Sequence, residues 1–342
     1  MHASVVIRSK DEAGRLRLTL ASLARQTVAA EIIVVNDGSG DHTSAVVAQA
    51  QSPSPLIYVT HREPQGRSAA SNAGAARASG DVLIFMDGDT LAAPDLVEHH
   101  LQSHRLRAGV VVRGQTRHLR CTRYLADPEA GTPMPDEAAR IARLPPHELA
   151  RMRVTRADIS DHFDGILARS VEGIYPGAGP RLLYELEMDA LLNHPGCEVL
   201  WAAAAGANMS VTAAMFREVG GFDAALSINE HRELAFRLCQ AGGQMVAAIG
   251  ARSFHMVHRA GWRDPLVEPG WEENFYRKHP VPAVALLTLL WRSLAPSPEL
   301  PKAARIGSLP ALAEAARRCA GIYGIEAVRA AHLQFLIIAD AR

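Results

Sequence analysis

The chain has 342 residues and carries 36 basic and 36 acidic side chains, so its formal net charge is zero. Hydrophobic residues make up 48% and charged residues 21%, a composition typical of a globular protein with a sizeable core. The neutral balance gives no basis for nucleic-acid binding or for a polybasic membrane surface. Four widely spaced cysteines form no CxxC pair, which argues against a zinc site or a disulfide framework.

Strand and helix patterns alternate over the first hundred residues. Short β-branched apolar runs, typical of buried parallel strands, occur at residues 4–7, 31–35, 56–60 and 81–86. Helical patterns lie between and after them at residues 13–26, 43–50 and 67–79. Repeated β-α units predict an α/β fold with a mostly parallel sheet and flanking helices. Ligands of such sheets bind outside the carboxyl ends of the strands.

The later part of the chain divides into three predicted segments. Residues 106–199 contain several prolines and a loop rich in glycine and proline at 173–180, and we interpret them as a helical insertion. Residues 200–260 return to a regular pattern of helices and strands. Residues 261–342 are predicted to form a helical C-terminal extension.

Acidic residues follow two of the predicted strands. Asp87 and Asp89 flank Gly88, and two carboxylates at this spacing can project into one site, where hard oxygen ligands suit Mg²⁺ or Mn²⁺ and a diphosphate. A plain surface turn is the alternative. Asp37 ends the second strand, where its carboxylate can accept a hydrogen bond from a base N–H; an Asx-turn or a helix cap is the alternative.

Four segments occur in an order and spacing that resemble the family-two glycosyltransferases of the GT-A type. They are residues 6–12 (VIRSKDE), 34–41 (VVNDGSGD), 66–74 (GRSAASNAG) and 86–89 (MDGD). The resemblance implies a Rossmann-like GT-A domain, and residues 1–105 would be its nucleotide-sugar-binding half. It also implies roles for individual residues. Asp37 would contact uracil, the loop of Ser9, Asp11 and Glu12 would line the nucleotide pocket, and Asp87, Gly88 and Asp89 would serve ribose, diphosphate and metal.

Arg67 follows Gly66, the first residue of the third segment, and we expect it to lie near the nucleotide. The fixed charge and planar donors of its guanidinium suit a phosphate. The histidines of the helix after the acidic triplet match no motif, and we interpret them as a solvated helix face; they are His99, His100 and His104.

Residues 206–258 are similar to the C-terminal catalytic segment of galactosyltransferase-like enzymes, so residues 200–260 would be the catalytic half of the domain. In that group a Glu-Asp pair opens a helix, and its aspartate deprotonates the acceptor hydroxyl. The corresponding pair here is Glu230 and His231. An imidazole suits general-base work near neutral pH. Glu230 could take that role instead, or could serve only to complement the helix dipole.

Two histidines follow the next predicted strand. In similar enzymes a histidine at this place completes the metal site begun by the acidic triplet. We therefore expect Asp87, Asp89 and His258 to bind Mn²⁺ or Mg²⁺, with His255 as second choice. A histidine pair in the core or on the surface is the alternative.

These features predict an inverting, metal-dependent hexosyltransferase that moves a sugar from a UDP-sugar to an acceptor hydroxyl on a glycan, a peptide or a small metabolite. Residues 106–199 and 262–271 would shape the acceptor side. A nucleotidyltransferase-like enzyme, or a nucleotide-sugar-binding protein without turnover, is the alternative that the Glu230-His231 pair leaves open. The sequence specifies neither the donor sugar nor the oligomeric state.

The sequence also predicts a location. Residues 1–10 show no signal-peptide pattern, and the longest apolar stretch, residues 281–290, is too short for a transmembrane segment. A cytoplasmic location is therefore expected, with peripheral membrane contact through residues 281–290 as an alternative.

Overall fold

The computed structural model describes residues 1–173, 182–258, 265–268, 270–294, 300 and 304–340. The strands are β1 (Ala3–Ser9), β2 (Glu31–Asp37), β3 (Leu56–His61), β4 (Val82–Asp87), β5 (Thr90–Ala92), β6 (Val110–Leu119), β7 (Leu125–Asp127), β8 (Thr132–Pro133), β9 (Met209–Thr212) and β10 (Gln244–Met256). Eight of them form one sheet in the order β3-β2-β1-β4-β9-β6-β10-β5, and β7 pairs with β8 in a separate ribbon.

Helices flank this sheet. They are α1 (Ala13–Leu23), α2 (Thr43–Gln49), α3 (Arg67–Ala75), α4 (Leu96–Leu106), α5 (Ala138–Ile141), α6 (Pro146–Met152), α7 (Arg156–Asp161), α8 (Phe163–Arg169), α9 (Leu183–Asn193), α10 (Ala213–Glu218), α11 (Glu230–Gln240), α12 (Trp271–Lys278), α13 (Pro282–Leu294), α14 (Leu309–Arg318) and α15 (Ile325–Asp340). Short 3₁₀ helices lie at Arg120–Tyr124, Pro135–Glu137 and Leu200–Ala203.

The predicted α/β class is confirmed. The pairs β1–β2, β2–β3, β1–β4 and β6–β10 are parallel, as the β-α repeats of the first hundred residues predict. Strand β9 runs antiparallel between β4 and β6, and β5 runs antiparallel to β10, so the second half of the sheet is mixed. The carboxyl ends of β1, β2 and β4 meet at one edge.

Strand β6 lies within the segment that the sequence analysis interprets as an insertion. It begins with the buried residues Val110, Val111 and Val112, but polar side chains follow, and the apolar pattern of a buried strand is lost. Arg113 is fully buried there because it pairs with Glu187, a partner 74 residues further along the chain. The first residues of this segment therefore belong to the main sheet, and residues 120–199 remain the predicted insertion.

The prediction of a solvated histidine face on α4 is wrong. His100 and His104 are both buried. The Nδ1 atom of His100 lies 2.8 Å from the hydroxyl of Ser210, and the Nε2 atom of His104 lies 2.9 Å from the same hydroxyl. The Nε2 atom of His100 lies 2.8 Å from the side-chain oxygen of Asn208. These partners stand 106 to 110 residues further along the chain, beyond the reach of a local pattern. Only His99 is partly exposed, beside Asp95.

The C-terminal helices bury their apolar side chains against the sheet domain. Nearly all of the apolar stretch 281–290 is buried, most of it on α13. Trp201, Trp271 and Trp291 are buried in the same core cluster. In the described part of the chain, no helix combines the length and apolar character needed to cross a membrane.

Candidate active site

A cavity of about 690 Å³ lies outside the carboxyl ends of β1, β2 and β4. The predicted site residues that line it are Ser9, Asp11, Glu12, Asp37, Arg67, Asp87, Asp89 and His258. They come from separate loops, which the parallel strands bring to one edge of the sheet. The structure thus gathers most of the predicted donor-binding residues in one place.

The loops after β1 and β2 are tied together. Asp11 has a backbone φ of 54°, its N–H donates to the Ser39 hydroxyl at 3.0 Å, and its carboxylate accepts from the Gly40 N–H at 2.7 Å. The carboxylate of Asp41 accepts from the N–H of Ala13 at 2.9 Å, at the first residue of α1. One wall of the cavity is therefore held by hydrogen bonds between two loops.

Asp37 has nearly all of its hydrogen-bonding capacity engaged. Its Oδ1 atom lies 2.7 Å from His61 Nδ1 and accepts from the Gln65 N–H at 2.8 Å, while Oδ2 accepts from the Gly66 N–H at 2.8 Å. Each carboxylate oxygen can accept two hydrogen bonds, so both lone pairs of Oδ1 are used and one lone pair of Oδ2 remains free. Gly66 has a φ of 92°, a conformation that favours glycine, just before α3. Asp37 thus fixes the backbone immediately before α3 and also lines the cavity.

Arg8 connects the acidic triplet to the predicted catalytic pair. Its Nε atom donates to Asp87 Oδ1 and its NH1 atom to Glu230 Oε1, each at 2.6 Å. Burial favours the neutral form of Glu230, but the positive charge of Arg8 outweighs burial and holds its pKa well below the usual range. No local pattern in the sequence marks Arg8, because its two partners lie 79 and 222 residues away.

Asp89, His255 and His258 form a cluster of three candidate ligands. Asp89 Oδ2 lies 2.8 Å from His258 Nε2 and 3.3 Å from His255 Nε2, and one ligand atom from each residue lies within 4.8 Å of the others. Burial alone would raise the pKa of Asp89, yet the two imidazoles hold it well below the usual range. One carboxylate and two imidazoles fit the donor preferences of Mn²⁺-type ions. Asp87 lies outside this cluster and is bonded to Arg8.

Gly88 allows Glu12 to approach the acidic triplet. A Cβ atom at Gly88 would stand 2.3 Å from Glu12 Oε1 and 2.8 Å from Ser9 Oγ, so a side chain has no room there. Burial, and then the charges of Asp89 and Asp87, raise the pKa of Glu12 well above its usual value. The cavity thus concentrates carboxylates in a way that favours a bound cation.

Arg15 is a cavity residue that no sequence motif indicates. It is 3% exposed, and its guanidinium donates to the backbone carbonyls of Met256, Ala126 and Leu125 at 3.2, 3.1 and 2.6 Å. Burial lowers its pKa, while the charges of Asp89 and Glu12 oppose that change. On sequence alone, Arg15 is one polar residue of an amphipathic helix.

Helix α11 places the predicted catalytic pair at its first turn. Asn229, just before it, has a left-handed φ of 61°. The Nε2 atom of His231 lies 2.8 Å from Arg232 NH1, and its Nδ1 atom lies 3.8 Å from Glu230 Oε1. Because a guanidinium only donates, Nε2 must accept, and the neutral ring carries its hydrogen on Nδ1. Burial lowers the pKa of His231 and favours this neutral form.

Part of the predicted acceptor side cannot be compared with the structure. Trp262 and residues 174–180 of the glycine- and proline-rich loop lie outside the described residues. Trp271 is described: its ring packs 5.2 Å from that of Trp291, and its Nε1 atom donates to the Pro265 carbonyl at 2.8 Å. This tryptophan is a core residue.

Comparison with known sequences points to the same class of protein as the residues of this site. Residues 4–163 match the model of glycosyl transferase family 2. The match covers most of the N-terminal half of the chain. A validoxylamine A glucosyltransferase from Streptomyces hygroscopicus subsp. jinggangensis is 31% identical over 287 residues, which are 81% of this chain and 61% of that protein. The Bacillus subtilis protein named uncharacterized glycosyltransferase YfnE is 38% identical over 116 residues, 33% of this chain and 30% of that protein. The chain thus spans less than two thirds of these relatives.

Solved structures support the fold of the whole chain. S. aureus TarS 1-349 superposes with a TM-score of 0.53 at 12% identity, over 94% of this chain and 73% of that one. The same fragment in complex with UDP-GlcNAc gives a TM-score of 0.51 at 13% identity, over 84% and 66% of the two chains. The expected GT-A fold is confirmed.

Proposed function

We propose that the chain transfers a sugar from a UDP-sugar to an acceptor hydroxyl, with inversion and with the help of a divalent cation. The observation that carries the proposal is one cavity lined by Asp37, by Asp89 and His258 of the three-ligand cluster, and by Arg8. Arg8 in turn forms an ion pair with the buried Glu230. The match of residues 4–163 to glycosyl transferase family 2 supports sugar transfer as the reaction class.

Asp37 supports uridine over guanosine as the nucleoside. Its single remaining lone pair can accept one hydrogen bond. Uracil presents one ring N–H between two carbonyl groups, whereas guanine presents a ring N–H and an adjacent amino group. A guanine would leave one donor without a partner, and an unpaired buried donor costs about 1–3 kcal/mol. We therefore expect UDP to bind more tightly than GDP.

Asp89, His258 and His255 would hold the cation. Two imidazoles among three ligands favour Mn²⁺ over Mg²⁺, which prefers an all-oxygen shell. A bound divalent cation would neutralise negative charge as it builds on the leaving diphosphate. Asp87 uses Oδ1 for Arg8, and its other carboxylate oxygen is the atom that we assign to the donor or the cation.

Arg67 and the loop of Ser9, Asp11 and Glu12 would contact the nucleotide, since all of them line the cavity. Arg67 stands at the start of α3, where the helix dipole also favours a negative group. Arg15 adds a fixed positive charge at the same cavity.

Glu230 is the better candidate for the base. The Nε2 atom of His231 is occupied by Arg232, and its Nδ1 atom carries the hydrogen, so the ring offers no free lone pair. Among the described residues, no group hydrogen-bonds to Glu230 Oε2. The acceptor oxygen would attack the anomeric carbon and give its proton to Glu230 Oε2, while the bond from that carbon to the diphosphate oxygen breaks and the electron pair leaves with UDP. Attack from the face opposite the diphosphate inverts the anomeric centre.

A donor titration tests the proposal. UDP, GDP, UDP-glucose, UDP-N-acetylglucosamine and GDP-mannose are titrated into the full chain with and without Mn²⁺, and binding is followed by calorimetry. We expect tighter binding of UDP and of one UDP-sugar in the presence of Mn²⁺. The Asp37→Asn variant should lose affinity, whereas Asp81→Asn, at a side chain that is 64% exposed, serves as a matched control.

Slow transfer of the sugar to water gives the stereochemistry without a known acceptor. The UDP-sugar that binds is incubated with the enzyme, and the first-formed free sugar is observed by proton NMR. Inversion predicts that an α-linked donor releases the β-sugar first. Absence of nucleotide binding under every condition would overturn the proposed function, and release of the α-sugar would overturn inversion alone.

A further inference from the structure

His118 and His255 face each other across two strands of the main sheet. Strand β6 carries His118, β10 carries His255, and the two residues are partners in the parallel register. This register depends on an irregularity in β10: Ala248 pairs with Gly114, but Arg252 pairs with the next residue of β6, Gln115.

The two imidazoles are in contact through their Nδ1 atoms, which lie 3.3 Å apart. His255 uses its other nitrogen, Nε2, toward Asp89 Oδ2 at 3.3 Å. His118 is 1% exposed, and its ring stacks on Tyr184 with centroids 5.5 Å apart and an angle of 29° between the planes. The ring of His118 is therefore fixed behind His255, on the side away from Asp89.

A hydrogen bond between two neutral imidazoles needs one hydrogen between the facing nitrogens. If His255 Nε2 is to give its lone pair to a cation, the hydrogen of that ring must be on Nδ1. His118 Nδ1 is then the acceptor, and the hydrogen of His118 is on its own Nε2 atom. Metal-binding histidines almost always donate their second ring N–H to such a partner, usually a carboxylate, a backbone carbonyl or water.

We propose that His118 is a positioning residue that fixes the tautomer and the ring orientation of His255 for cation binding. This inference rests on the proposed cation-dependent function and adds a residue that does not touch the cation. An imidazole takes the place of the usual oxygen acceptor. Loss of the acceptor leaves the His255 ring free to rotate or to place its hydrogen on Nε2, and both changes weaken the site.

Two substitutions separate this role from simple packing. His118→Phe keeps an aromatic ring that can stack on Tyr184 but removes the acceptor. His118→Asn makes a smaller side chain whose amide oxygen can occupy the place of Nδ1 and accept from His255. A packing role predicts that the phenylalanine variant behaves better than the asparagine variant, and a positioning role predicts the reverse.

Mn²⁺ is titrated into the full chain with and without UDP, and binding is measured by calorimetry and by the loss of the free-ion signal in electron paramagnetic resonance. We expect His118→Phe to weaken Mn²⁺ binding by about 10–100-fold. His118→Asn should stay within about threefold of the original chain, since it retains the acceptor. His332→Phe, which removes another buried imidazole, on α15, is the control and should bind Mn²⁺ normally. Thermal unfolding without Mn²⁺ shows that each variant is folded.

The outcomes are distinct. If the original chain binds no Mn²⁺, the cation part of the proposed function fails, and this inference fails with it. If the original chain binds Mn²⁺ and His118→Phe binds it equally well, the inference alone is overturned. Equal weakening by both substitutions would show that the shape of His118 matters and its acceptor nitrogen does not, which also overturns it.

Discussion

Arg8 donates a hydrogen bond to Glu230 over 2.6 Å and so joins the end of the first strand to the start of α11, 222 residues later. The same guanidinium holds Asp87. Through this one side chain, β1 and α11 share an ion pair that is almost entirely buried. Movement on either side of the cavity therefore acts on the other.

Arg8→Lys should lower kcat by about 100-fold, because lysine keeps the charge but cannot hold Asp87 and Glu230 with one planar group. Donor hydrolysis measures the turnover, and circular dichroism verifies folding. Arg77→Lys, on the exposed surface, is the matched control. Unchanged kcat in Arg8→Lys would show that the fork geometry has no part in the reaction.

Glu230→Gln should lower kcat by a factor of about 10²–10⁴ while UDP affinity changes little, because the amide fills the same space but cannot take a proton. His231→Ala should have a smaller effect, since Arg232 already occupies the accepting nitrogen of the ring. The two variants are compared in single-turnover donor hydrolysis. The assignment would be reversed if His231→Ala had the larger effect.

His258→Ala should weaken Mn²⁺ binding more than tenfold, because it removes one of three ligands from a site whose other members are fixed. Chelation by EDTA should abolish turnover in the original chain, and Mn²⁺ should restore it more fully than Mg²⁺ does. Mn²⁺ affinity and donor hydrolysis are measured on the same samples. Full turnover in EDTA would contradict a cation-dependent reaction.

The free energy of unfolding should decrease in mild acid because of two buried histidines on α4. Burial lowers the pKa of His100 and of His104 from 6.5 to about 4. Between these values the unfolded chain binds protons that the folded chain does not. The free energy of unfolding therefore falls as the pH decreases from about 6.5 to 4, by up to about 1.4 kcal/mol per pH unit for each histidine. Above pH 6.5 these residues contribute no pH dependence.

His104→Leu removes one of these two titrations, so urea unfolding between pH 4.5 and 7.5 should give a shallower pH dependence than in the original chain. Parallel curves for the two proteins would mean that His104 is protonated as readily in the folded state as in the unfolded state. The difference between the curves isolates the histidine from the many carboxylates that titrate in the same range.

Glu187→Gln should destabilise the fold by about 3–5 kcal/mol, because it leaves two buried guanidinium groups without a counter-charge. Glu187 is fully buried and accepts from Arg113 at 3.0 Å and from Arg232 at 2.6 Å. Urea unfolding measures the change. Glu326→Gln removes a surface partner of Arg329 and should leave the midpoint unchanged, since that carboxylate is 87% exposed.

The sequence predicted the elements whose signal is local. Strands β1 to β4 and helices α1 to α3 lie within a few residues of their predicted positions, since each shows its own apolar period. Asp37, Asp89 and His258 were predicted because they follow strands or match a motif, and all three line the cavity.

The missed residues depend on partners that are remote in the sequence. Strand β6 was missed because polar side chains such as Arg113 and His118 interrupt its apolar pattern, and their partners, Glu187 and His255, lie 74 and 137 residues further along the chain. Arg8 and Arg15 read as ordinary polar residues until the fold places carboxylates and carbonyls around them. A buried polar group is recognisable only together with its partner.

The irregularity in β10 determines which histidines meet at the cation site. Three residues, 249–251, stand between Ala248 and Arg252, whose partners on β6 are consecutive. Side chains alternate between the two faces of a strand, so an odd number of extra residues turns every later side chain to the opposite face. In an uninterrupted strand, Arg252 would stand beside His118, and His255 would point away from Asp89. Residues 249–251 do not line the cavity. A deletion of one of them would nevertheless turn His255 away from the site without changing its identity, which makes the length of this segment part of the site's chemistry.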